Sequence, residues 1–234
     1  MQKSMIRLLS FADAISITNA IFGVLAIIFL FSCLGTCTEF RLQASFSFIL
    51  LALLADGLDG IVARKTGKSE IGEYLESMAD MTSLVIAPAV FIYYNYTNLF
   101  TFSYFRLAYL LFALVLFLSF GIIRLASFHI MKKKKYFIGL PASVSTIVLI
   151  IIAFFRVDFI FILPAVVIIG ALTVSDIKFP KPGIKVNAIA TILIVLSIIM
   201  YDSFYKIAPL LLVSAILVYA IGGPIYIKYL AKGQ

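Results

Sequence analysis

The chain has 234 residues, 63% of them hydrophobic and 13% charged, with a net charge of +8. A water-soluble domain carries roughly 45–50% apolar and about 25% charged residues, so this composition excludes a soluble globular fold and makes lipid the solvent for much of the surface. The basic balance leaves two partners to weigh, a nucleic acid or a membrane surface.

Residues 1–11 set Met1, Met5, Ile6, Leu8 and Leu9 beside Lys3 and Arg7. That mixture predicts a short amphipathic helix lying in the membrane interface, and the segment lacks a signal-peptide cleavage pattern. Apolar runs of crossing length, roughly 17–25 residues each, follow near 12–34, 42–64, 73–95, 105–128, 138–155, 159–175, 186–202 and 206–227. The predicted fold is therefore an all-α polytopic membrane helix bundle with about eight spans. The fifth and sixth runs are short and separated only by Arg156, Val157 and Asp158, so they can form an uneven hairpin. Cys33 and Cys37 share the loop after the first span. Two cysteines are too few for a disulfide framework or a metal knuckle.

Basic residues set the orientation. With the N-terminus inside, the inner side receives fifteen of them, including Lys3, Arg7, Arg64, Lys65, Lys68, Arg124, Lys132–Lys135, Lys178, Lys181 and Lys185. The outer side receives four, Arg41, Arg106, Arg156 and Lys206. The positive charge thus reads as a topology signal at the cytoplasmic face of a cell membrane, not as a nucleic-acid interface. It also suits anionic headgroups.

Six of the eleven acidic residues fall between Asp56 and Asp80. Charge placed at bilayer depth costs roughly 2.5–3.5 kcal/mol on insertion scales, so such residues usually serve a function. Asp56 and Asp59 stand three apart near the inner end of the second span; Glu76 and Asp80 stand four apart near the start of the third. On helices each pair shares a face, and the short connector makes the helices antiparallel neighbours. Four converging carboxylates repel unless something positive sits among them, and Arg64 alone is insufficient. Mg²⁺ or Mn²⁺ with oxygen ligands answers that need, and two such ions suit displacement at a phosphoryl centre. Gly57, Gly60, Ala63 and Gly72 bracket the cluster, where small residues allow close helix approach and leave room for a ligand. The competing readings are intramembrane ion pairing with Arg64, Lys65 and Lys68, and an ion-coupled transporter. A transporter would place its acids at the midplane on broken helices, unlike these.

Residues 56–80 read D-G-L-D-G-I-V-A-R, seven residues, then G-E-Y-L-E-S-M-A-D. The stretch resembles the signature of the CDP-alcohol phosphotransferases, D-x-x-D-G-x-x-A-R, about eight residues, then G-x-x-x-D-x-x-x-D. Two departures are Glu76, where the family normally has Asp, and a connector one residue shorter. Further segments are similar to the serine O-phosphatidyltransferase branch. They are Ser77–Asp80 running into Val85–Ala89, Arg124–His129 (R-L-A-S-F-H), Tyr136–Pro141 (Y-F-I-G-L-P) and Ser175–Lys181 (S-D-I-K-F-P-K). Ser127 and His129 stand where that branch has Arg and Asn.

The resemblance implies a membrane core over 12–185, with two additional C-terminal helices over 186–234. It implies transfer of a phosphatidyl or archaetidyl group from a CDP-linked lipid to L-serine with release of CMP, in a homodimer. Glycerol phosphate or an inositol phosphate is the alternative acceptor. By matching positions, Asp56, Asp59, Glu76 and Asp80 would hold two divalent ions, with Asp80 as general base. Asp56, Gly60, Ala63, Arg64, Gly72 and Ser77 would contact the CDP-lipid. Arg124, Lys134 and Lys135 would receive the acceptor or a lipid phosphate, since Arg pairs with such oxygens through two parallel hydrogen bonds.

Overall fold

The computed structural model describes residues 8–32, 38–66, 69–99, 103–131, 136–200 and 207–232, with backbone alone at 64–66, 99, 128–131 and 229–232. Most of the predicted interfacial helix, Cys33, Cys37, Lys132–Lys135 and the side chains of Arg64 and His129 lie outside the described residues. Residues 1–91 and 92–234 form two compact units.

The first unit opens with α1 (Phe11–Phe31). Ser10 caps it: its Oγ accepts from Asp13 N at 3.3 Å, while Asp13 Oδ2 accepts from Ser10 N at 2.6 Å. This reciprocal pair satisfies two backbone donors that the first turn cannot. The buried stripe of α1 is Ala12, Asp13, Ser16, Asn19, Gly23, Ala26 and Leu30. Its exposed residues include Ile17, Ile21, Val24 and Ile28. Small and polar residues inside with large apolar ones outside is the pattern of a helix solvated by lipid.

The partner of α1 is α2 (Thr38–Thr66), where Phe48 packs against Phe29 with ring centroids 5.0 Å apart. The third predicted span is one composite rod. It runs through α3 (Gly72–Asp80), a π-helical turn (Met81–Ile86) and α4 (Ala87–Leu99). Pro88 follows that turn, and its missing N–H removes one i→i−4 bond from the stretch. At Gly23 a Cβ would fall 2.7 Å from Ser83 Cα, so the bare glycine lets α1 close on the π turn.

The second unit continues through α5 (Tyr104–Met131), β1 (Tyr136–Ile138), α6 (Ala142–Phe154), α7 (Phe159–Thr173), β2 (Lys178–Pro180), α8 (Ile184–Ile199) and α9 (Ile207–Lys232). Asn95 Nδ2 donates to the Ala153 carbonyl and Tyr96 Oη to that of Val157, pinning the α6–α7 turn to the end of α4. Asp158 caps α7 by accepting from Ile160 N at 3.0 Å.

The fold is all-α and polytopic, as expected, with a helix within each predicted run. Among the described residues five spans, counting Gly72–Asn98 as one, are long and apolar enough to cross a membrane; α6, α7 and α8 have 13, 15 and 16 residues. The fifth run differs most. Helix begins at Ala142, not at 138, because Pro141 precedes it and Gly139 takes φ +74°. The residues before it pair as a two-stranded antiparallel ribbon, Tyr136 with Pro180, Phe137 with Phe179 and Ile138 with Lys178.

Candidate active site

All four predicted acids belong to the first unit. Asp56 and Asp59 lie near the end of α2, and Glu76 and Asp80 lie on α3. The Asp56 and Asp80 carboxyl groups come within hydrogen-bonding reach of one another, and the charges of Asp59 and Glu76 act on both. The helix ends thus bring Asp56 and Asp80 together, within the electrostatic reach of Asp59 and Glu76. Carboxylates at this spacing repel unless positive charge sits among them.

Sequence reasoning missed the contribution of α1. Ser16 Oγ donates to Asp59 Oδ2 at 2.8 Å, and Asn19 Nδ2 donates to Asp80 Oδ1 at 3.0 Å. Asp59 is only 4% exposed and Asn19 fully buried, so these bonds orient the acids from a dry side of the site. Asp13, also buried, faces the start of α3: a Cβ on Gly72 would fall 2.9 Å from Asp13 Oδ1. The signal was present. Asp13, Ser16 and Asn19 recur every three residues in an otherwise apolar span, and buried polar groups need partners.

The glycines divide. Gly72 serves a close approach, as its neighbours Asp13 and Ser69 show. A Cβ on Gly57 or Gly60 meets nothing described within 4 Å, so the expected tight helix contact at those two is corrected. Gly57 lies on an exposed face of α2 with Leu58 and Ile61, and Gly60 borders open space. Ala63 is half-buried; Ser77 Oγ donates to the Glu73 carbonyl at 3.1 Å, on its own helix.

The donor set is entirely carboxylate oxygen, which fits a hard divalent cation. Among the described residues no group of three or more His, Cys, Asp or Glu side chains is arranged so that it could hold a metal ion; Asp59 and Asp80 spend an oxygen on Ser16 and Asn19. Beside the acids, Ile17, Ile21, Val24, Leu75 and Met78 line an apolar cavity of ≈ 340 Å³ that reaches Ser16 and Ala79.

In the second unit Arg124 is 7% exposed and donates through Nη1 to the Ile138 carbonyl of β1. Lys178 and Lys181 place their ammonium groups 5.2 Å from the ring centroids of Tyr136 and Phe137, within cation–π range. Ser127 Oγ donates to the Ile123 carbonyl at 2.6 Å. Lys134 and Lys135 lie outside the described residues.

A family model for CDP-alcohol phosphatidyltransferase matches residues 9–222. A CDP-diacylglycerol–serine O-phosphatidyltransferase of Methanocaldococcus jannaschii is 34% identical over 178 residues, covering 75% of this chain and 76% of its own. An archaetidylserine synthase of Methanothermobacter thermautotrophicus is 32% identical over 186 residues, covering 76% and 73%. A CDP-diacylglycerol–serine O-phosphatidyltransferase of Helicobacter pylori is 30% identical over 145 residues, covering 57% and 59%.

Proposed function

The chain belongs to the CDP-alcohol phosphatidyltransferase family, and from that premise we propose that it transfers a phosphatidyl or archaetidyl group from a CDP-linked lipid to L-serine, releasing CMP. Membership makes it an enzyme of phosphate-group transfer, and the transporter alternative falls with it. The observation that carries the reading is the meeting of Asp56 and Asp80 beside Asp59 and Glu76. It occurs in a chain whose archaeal relatives are named for serine transfer.

Members of this family generally depend on a divalent metal. Two ions, Mg²⁺ or Mn²⁺, held by Asp56, Asp59, Glu76 and Asp80, would offset the pyrophosphate charge and make CMP a better leaving group. The protein's own groups do the rest. Ser16 and Asn19 fix the carboxylates of Asp59 and Asp80. A serine hydroxyl is a poor nucleophile near neutral pH, so Asp80 accepts its proton as the serine oxygen bonds to the lipid-linked phosphorus. The bond from phosphorus to the CMP oxygen breaks in the same displacement.

Asp56, Gly60, Ala63, Arg64, Gly72 and Ser77 contact the nucleotide end in this reading. The open space at Gly60 supports it. The apolar cavity beside α1 and α3 suits a hydrocarbon chain. Arg124, Lys134 and Lys135 take the serine carboxylate or a lipid phosphate. The protein sits in the cell membrane as a homodimer, with its N-terminus and active site on the cytoplasmic side, where the positive-inside rule puts the basic loops.

The test is CMP release by the purified chain with CDP-diacylglycerol or CDP-archaeol, Mn²⁺ or Mg²⁺, and serine, glycerol phosphate or inositol phosphate. Release with serine alone is expected. Release only with inositol phosphate or glycerol phosphate refutes the serine assignment, and no release with any acceptor refutes the whole reading.

A further inference from the structure

The last helix carries no motif, yet it contacts the ribbon through a hydrogen bond and a ring pair. Strands β1 and β2 have three residues each, and a two-stranded ribbon that short is not stable by itself. From α9, Tyr219 Oη donates to the Pro180 carbonyl at 2.7 Å. The Tyr219 ring packs on Phe179, with centroids 6.3 Å apart, and Phe179 is 2% exposed. One turn further along α9, Gly223 lets the Pro180 ring press against the helix. A Cβ there would fall 2.8 Å from Pro180 Cδ and 3.2 Å from Cγ.

Those contacts continue into the acceptor side. Pro180 and Phe179 pair with Tyr136 and Phe137, and Lys178 with Ile138. The Ile138 carbonyl receives the Arg124 guanidinium. Beyond the ribbon, Gly139 N donates to the Ile177 carbonyl at 2.8 Å and Leu140 N to that of Leu172 at 2.9 Å. Contacts thus run from the Tyr219 hydroxyl on α9 through β2 and β1 to the Arg124 guanidinium.

We propose that α9 holds the ribbon that orients Arg124 for the acceptor, with Tyr219 as the positioning residue. The inference rests on the reading of Arg124 as an acceptor ligand. Tyr219 touches no reacting atom; it acts through Pro180 and β1. A shift of the ribbon moves the carbonyl that Arg124 grips, so the cost falls on acceptor binding, not on the lipid substrate.

The experiment uses the purified full-length chain in lipid vesicles, with the acceptor that supports CMP release. Tyr219→Phe removes only the hydroxyl. It is expected to raise the KM for acceptor about five-fold, the effect of one neutral hydrogen bond, with kcat and the KM for CDP-lipid unchanged. Gly223→Ala is expected to raise the acceptor KM in the same direction. Adding Pro180→Ala, which removes the ring carbons that the new Cβ strikes, is expected to reverse that rise, as a coupled pair should. Equal changes in both KM values, or none, with Tyr219→Phe overturn the proposal, as does a Gly223→Ala effect that Pro180→Ala leaves in place. Arg124→Lys, measured alongside, separates the two readings. If it raises the acceptor KM and Tyr219→Phe does not, the role of α9 is lost and that of Arg124 stands. If neither raises it, the acceptor assignment of Arg124 falls, and the proposal with it.

Discussion

The acid cluster of the first unit and the ribbon of the second are both polar devices in an apolar chain, built on opposite plans. Around Asp59 and Asp80 the contacts run from side chain to side chain, through Ser16 and Asn19 on α1. Around the ribbon they run to backbone carbonyls, that of Ile138 from Arg124 and that of Pro180 from Tyr219. Side chains can be exchanged one at a time, so the first plan concentrates chemistry in a few identities. Backbone groups are present at every residue, so the second plan depends on conformation, and its sensitive positions are glycine and proline.

Four substitutions test that contrast. Asp80→Asn removes the proposed base and is expected to lower CMP release by about 10³-fold or more while CDP-lipid binding, measured directly, stays near that of the unaltered chain. A comparable loss of binding would make Asp80 chiefly a metal ligand.

Gly139→Ala strikes the backbone plan. Its φ of +74° lies in the left-handed region, and a Cβ there meets the Thr173 carbonyl oxygen. Strain of about 1–3 kcal/mol, increased by that collision, should lower the thermal midpoint of the detergent-solubilised protein. An unchanged midpoint would mean that the ribbon contributes little to stability.

Asn19→Ala removes the amide that holds Asp80. Outer-shell partners of metal ligands typically contribute about 10–100-fold in metal affinity or activity, so half-maximal CMP release should need correspondingly more Mn²⁺. Unaltered metal dependence would leave Asn19 a packing residue only. At the bottom of the scale, Ile189→Ala on an exposed face of α8 should change stability by no more than about 0.5 kcal/mol. A larger loss would show that this face is covered, as a homodimer contact would do.

Much of the first unit was legible beforehand. Three- and four-residue spacing set Asp56 with Asp59 on one helix and Glu76 with Asp80 on the next, which is where the structure has them. Ser16 and Asn19 leave little trace in a charge pattern, because they are neutral and lie 43 and 61 residues from their partners. In the second unit, apolar length extended the fifth span back to 138. The turn chemistry of Gly139 and Pro141 overrode it, and hydropathy is blind to φ.

What the sequence by itself determined is what depends on near neighbours along the chain. That covers which runs are apolar enough for lipid and which acids share a helix. Helix periodicity and the cost of charge in hydrocarbon both act over a few residues, so they can be read locally. Only the tertiary structure decided that α1 supplies Ser16 and Asn19 to the acids, that Pro180 rests on α9 and that Arg124 grips β1. Those pairings join distant residues, and they are selected by packing and by the need of each buried polar group for a partner, which no local pattern records.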